Sequence, residues 1–204
     1  MCGEPEQLAA LPAGQLAAAV RVAAALGDGA LAGLLARGAP VNEPDHGGFM
    51  ALMYAARAGW DTVSVLIDGG VEVDQVNRRG TGYGTGKTAL NYAAEAGRAK
   101  AVSALRAAGA VVDNARDDGA TPLFMSAQNG HAEVVAALLW VGAAVDKAMN
   151  NGATPLFVSA YKGHATVVAA LLAAGANKEI KTPHGTPLEI ARSQGHAKVV
   201  ALLQ

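Results

Sequence analysis

The feature that most limits what this chain can fold into is its self-similarity. Thr121-Pro122-Leu123-Phe124 returns 33 residues later as Thr154-Pro155-Leu156-Phe157, and 32 residues after that as Thr186-Pro187-Leu188-Glu189. Gly130-His131 returns in step as Gly163-His164 and Gly195-His196. Toward the N-terminus, Thr88-Ala89-Leu90-Asn91 lies 33 residues before Thr121, and Met50-Ala51-Leu52-Met53 lies 38 before Thr88, so five residues are inserted between them. A period of this size belongs to chains that stack one small unit many times.

Each unit reads as two short helices and an extended turn. Thr121 is expected to cap a first helix, with Pro122 at the position where a missing N–H costs nothing and Gly130 ending it after about two turns. A second helix follows from His131, whose Val134, Val135, Leu138 and Leu139 recur at helical spacing. Gly142 stops it, and residues 143 to 152 lead into the next unit. Neither helix can bury its apolar side alone, so the units must pack side by side. Ser126 and Ser159 hold equivalent positions where a small residue suits close packing. Met50 occupies the cap position that threonine holds elsewhere, so Met50→Thr is expected to stabilise the chain by roughly 0.5 to 2 kcal/mol.

This period and the Thr-Pro-Leu motif resemble the ankyrin repeat, and the resemblance covers nearly the whole chain. It implies an all-α solenoid forming a single domain over 1–204, with units at about 5–44, 45–77, 78–115, 116–148, 149–181 and 182–204. The first unit lacks the motif, but Gly27-Asp28, Leu34-Leu35 and Gly38-Ala39 match its second half. The motif's histidine is replaced by Met53, Asn91, Phe124, Phe157 and Glu189, so its polar stitching is expected to be missing. The chain ends at Leu202-Leu203-Gln204, inside the last second helix, which fits a fragment of a longer protein or an end covered by something else.

Composition narrows the function. Sixteen Lys and Arg against 17 Asp and Glu give no field that would draw nucleic acid or an anionic membrane. Cys2 is the only cysteine, too few for a disulfide framework or a thiolate zinc site, and a reducing, cytoplasmic setting is expected. The apolar stretch from Leu8 to Val20 follows Glu4 and Glu6 instead of a basic segment, and Pro12, Gly14 and Gln15 interrupt it. Neither a signal peptide nor a membrane span is expected there.

One segment suggests chemistry. Residues 80–88, Gly-Thr-Gly-Tyr-Gly-Thr-Gly-Lys-Thr, end like a phosphate-binding loop, yet Gly80 leaves five residues before Gly86 and Gly82 leaves three, where the motif requires four. Nucleotide or phosphate binding is therefore the alternative reading, and a flexible finger the preferred one. Arg78, Arg79 and Lys87 meet no acidic residue between Asp74 and Glu95, which suggests a local positive excess around Tyr83. His131, His164 and His196 recur because the unit recurs, with a spacing too wide for one zinc ion. No nucleophile, base and carboxylate can be assembled, so neither an enzyme nor a cofactor is expected.

The resemblance implies recognition of a partner protein by a monomer, through a concave face made of turn tips and the exposed sides of the first helices. Mapped onto this chain, those positions include Phe49, Arg57, Lys87, Glu95, Asp117, Gln128, Asn129, Asn150, Tyr161 and Lys162, to which the finger adds Arg78, Arg79 and Tyr83. Phe49, Arg57, Tyr83 and Tyr161 are the preferred anchors, because aromatics and arginine dominate binding energy at interfaces. Trp140 should lie on the opposite side, as a second contact or a lid over a gap.

Overall fold

The computed structural model describes residues 11–59, 61–78 and 85–204. Among them run twelve helices in consecutive pairs: α1 (Ala13–Leu26) with α2 (Ala30–Ala36), α3 (Ala51–Ala58) with α4 (Thr62–Asp68), α5 (Ala89–Glu95) with α6 (Ala99–Ala107), α7 (Pro122–Gln128) with α8 (Ala132–Trp140), α9 (Pro155–Lys162) with α10 (Ala165–Ala173), and α11 (Pro187–Ser193) with α12 (Ala197–Leu203). First helices pack on first helices and second on second, so two layers run the length of the molecule. The core lies between them. Leu52, Leu90, Leu123 and Leu156 from one layer meet Leu66, Leu105, Leu138 and Leu171 from the other, all buried. Buried alanines such as Ala55, Ala56, Ala93, Ala94, Ala127 and Ala160 let neighbouring helices approach closely.

The first helices start as the sequence predicts. Thr88, Thr121, Thr154 and Thr186 are extended N-caps whose hydroxyls accept the N–H three residues on. Pro122, Pro155 and Pro187 sit at the first helical turn. Met50 caps α3 without any side-chain bond. Ser126 and Ser159 are buried, and each hydroxyl donates to a carbonyl one turn back, Leu123 O and Leu156 O, at 3.0 Å.

The expected loss of polar stitching is corrected in two ways. Asn91 and Glu189, at the position of the motif histidine, reach back to the N–H of Thr88 and Thr186 at 2.8 Å and complete capping boxes. Asn91 also donates to Asn114 O, in the turn that leads into the next unit, at 3.1 Å. In addition, one Asn or Asp in each of four successive turns accepts a backbone N–H about one unit further on. Asn42 takes it from Glu72, Asp74 from Val111, Asp113 from Ala144 and Asp146 from Asn177, at distances from 2.9 to 3.3 Å. These bonds satisfy turn amides that no helix can serve.

Candidate functional site

Four side chains at equivalent positions form a line along the first-helix layer: Arg57, Glu95, Gln128 and Tyr161. Each of their carbonyls is held by a side chain at the equivalent position of the next unit. Arg98 Nε donates to Arg57 O at 3.1 Å; His131, His164 and His196 meet Glu95 O, Gln128 O and Tyr161 O through Nε2 at 3.0, 3.1 and 2.9 Å. The three imidazoles are thus committed to backbone and serve as clamps between units. Close packing makes room for each ring: Gly130 has φ +76°, and a Cβ there would lie 2.8 Å from His164 Nδ1. The line presents a cation, an anion, an amide and a phenol on one fixed backbone.

Toward the N-terminus the line borders an aromatic cluster. Phe49 is half-buried, with its ring centroid 5.5 Å from Tyr54 and 5.4 Å from Tyr92. Tyr54 donates to Asp45 Oδ2 at 2.6 Å, and Tyr92 accepts from Asn77 Nδ2 at 3.0 Å. Phe49 is therefore part of a packed group and not a lone exposed anchor. Tyr54 and Tyr92 were not singled out from sequence, because their partners lie up to 43 residues away and no local spacing reveals such contacts. Burial, aided by the Glu95 charge, pushes the Tyr92 phenol up to about 12.

Lys87 corrects the reading of a basic finger. It is only 8% exposed, its ammonium lies 2.7 Å from Glu95 Oε2 and 5.1 Å above the Tyr92 ring, and its amide donates to Asn77 Oδ1 at 2.7 Å. Thr88 is buried and engaged as a cap. Neither side chain is free to grip a phosphate in the glycine-rich segment, and the positive excess is reduced to Arg78 and Arg79. Arg78 is exposed; Arg79 and Tyr83 lie outside the described residues. The segment's C-terminal foot is tied to the next turn: Thr85 donates its hydroxyl to Asp117 and accepts the Asp117 N–H through its carbonyl at 3.2 Å.

Several turn residues expected to meet a partner are occupied within the protein. Asn150 donates to Asp117 O at 3.1 Å, linking two tips. Asn129 donates to Glu95 O at 3.2 Å and Met125 O at 3.0 Å. Beside the predicted Asp117, its neighbour Asp118 pairs with Arg116 through two hydrogen bonds, Nε to Oδ1 being 2.6 Å. Burial acts to raise the Asp118 carboxyl, but the Arg116 guanidinium and the Ala120 N–H outweigh it and hold it below its ordinary value.

Toward the C-terminus the line opens into a groove of about 660 Å³. Phe124, Phe157 and Met149 give it apolar walls, Ile190 and Gln194 close one end, and Gln128 and His184 add polar groups. Tyr161 stands at its edge, 41% exposed, with the Lys162 ammonium 5.3 Å over its ring. Tyr161, Lys162 and Gln128 are the predicted positions that the structure brings together on one hollow; Arg57 is exposed beyond the aromatic cluster. Among the described residues no group of three His, Cys, Asp or Glu could hold a metal ion, and no helix is long and apolar enough to cross a membrane.

The family model for ankyrin repeats (3 copies) matches over residues 20–115, 107–182 and 142–204. No curated protein matches the chain.

Proposed function

Because the chain belongs to the ankyrin-repeat family, whose members are generally protein–protein interaction modules, we propose that it binds a partner protein along its first-helix layer without catalysis. The observation that carries this reading is the line Arg57, Glu95, Gln128 and Tyr161. Each of the four carbonyls is held by a side chain of the next unit, an imidazole at three positions and the Arg98 guanidinium at the first, while the side chain presented differs at each. Equivalent scaffolding with varied chemistry suits selective recognition. A preformed surface loses little ordering entropy on binding. The groove beside Tyr161 supplies the concave, mainly apolar pocket in which a partner side chain can be desolvated.

Affinity capture from the source lysate tests the reading, with the intact chain beside Tyr161→Ala, Lys162→Ala and Trp140→Ala. The partner should be lost with the first two and kept with the third. A partner kept by both groove variants and lost with Trp140→Ala would move recognition to the other layer. Titration with ATP or GTP and Mg²⁺ addresses the phosphate-loop alternative: with Lys87 held by Glu95, no saturable binding is expected. Affinity that Lys87→Ala abolishes would restore that alternative.

A further inference from the structure

Trp140, on the second-helix layer, is 90% exposed, which excludes the lid over a gap expected from sequence. The hollow with the more defined chemistry lies on the first-helix layer, beside Tyr161. Its floor is Phe124, Ala153, Phe157 and Val158, all buried, and its volume of about 660 Å³ falls among those of sites that enclose a bound group, roughly 300 to 1,000 Å³. Arg116 and Asp118, both on its lining, are bound to each other, so their charges cancel there. Lys162 is different. It is exposed and forms no ion pair among the described residues, yet its ammonium is placed 5.3 Å over the Tyr161 ring, whose negative face holds it at the rim. The surrounding charge has the same sign. Residues 149–204 carry five Lys and Arg against two Glu, whereas residues 1–148 carry 11 Lys and Arg against 15 Asp and Glu. The nearly neutral chain is thus positive at the end that holds the groove and negative over the rest.

We propose that the groove takes a short acidic segment of a partner protein, in which one large apolar side chain enters over Phe124 and Phe157 and a neighbouring Asp or Glu meets Lys162. This rests on the first-helix layer being the recognition surface, and it names the chemistry that surface selects. The two contacts divide the work. An ion pair at so exposed a position is worth at most about 1 kcal/mol, so the apolar side chain supplies most of the affinity. The carboxylate supplies selectivity, because the field that draws an acidic segment to this end repels a basic one. The same charge asymmetry sets direction, since an acidic segment that ran on toward the N-terminal units would meet their excess of carboxylates.

Selection of short random peptides displayed on phage against the full chain is the test, followed by anisotropy titration of the enriched sequence made with a fluorescent label. Enriched peptides should place Asp or Glu within two residues of a large apolar residue, and serine in place of that apolar residue should abolish binding. Lys162→Ala should weaken binding about threefold and Lys162→Glu roughly tenfold or more. A peptide whose acid is changed to Lys should bind Lys162→Glu better than it binds the parent chain. Lys162 is exposed, so the thermal midpoint should be unchanged in both variants. Enrichment of basic or uncharged peptides, or of none, overturns the proposal. Peptides that ignore both Lys162 variants but are lost with Tyr161→Ala also overturn it, while leaving the groove as a recognition surface. Peptides that ignore Tyr161→Ala as well overturn the proposal and the reading it rests on.

Discussion

Tyr92 is the residue at which the inner-face contacts converge, touching Phe49, Lys87 and Asn77 at once. Its folded pKa of about 12 lies above the ordinary 10.0, so the folded chain holds this proton more tightly than the unfolded chain. The resulting stability is complete below pH 10.0 and is lost as pH rises toward about 12. Urea midpoints measured across that interval should fall with pH, and Tyr92→Phe should flatten the decline; an unchanged slope would place the phenol in a freer setting. Thr121 offers a simpler case. It is fully buried and accepts the Phe124 N–H at 3.1 Å, so Thr121→Val, of nearly the same shape, should cost about 0.5 to 2 kcal/mol in urea denaturation. Met50 needs a revised expectation. Its side chain is 8% exposed, so Met50→Thr gains a cap but gives up buried apolar surface of similar worth, and the midpoint should stay within about 1 kcal/mol of the parent.

Between elements, the turn ladder of Asn42, Asp74, Asp113 and Asp146 is the main polar tie. Asp113→Ala removes the acceptor for Ala144 N–H and should cost about 1 kcal/mol. Faster amide exchange at Ala144 with a slower effect elsewhere would confirm the local origin; no change would mean water replaces the carboxylate. Gly130→Ala should cost more than 1 kcal/mol, since both the left-handed backbone and the His164 ring exclude a side chain. The helices themselves were legible in the sequence, because threonine caps, proline starts, glycine stops and leucine spacing are local signals. The ladder leaves a trace in the sequence, an Asx recurring after valine at residues 42, 74, 113 and 146, but that recurrence does not reveal which amide each side chain accepts. Asn91 and Glu189 were misread because they differ from the motif histidine, while their capacity to accept the cap N–H is what the site requires. The Lys87–Glu95 pair spans eight residues across a turn and a helix, where no i,i+4 rule applies.

For the molecule as a whole, the main helix packing among the described residues joins adjacent units, so stability is approximately a sum of units and of the interfaces between them. Such an architecture keeps its first-helix layer rigid over a long span, which is what a recognition surface needs. The sequence located the positions that line this layer, but it could not say which were already bonded within the protein: Asn129 and Asn150 are, while Arg57, Tyr161 and Lys162 present exposed side chains. That distinction depends on contacts about one unit apart in the chain. The most direct test of the central claim is hydrogen exchange on the captured complex, compared with the free chain. The account predicts slowed exchange in α7, α9 and α11 around the groove, with α6, α8 and α10 unaffected by partner. Protection confined to the second-helix layer, or absent from the groove, would contradict it.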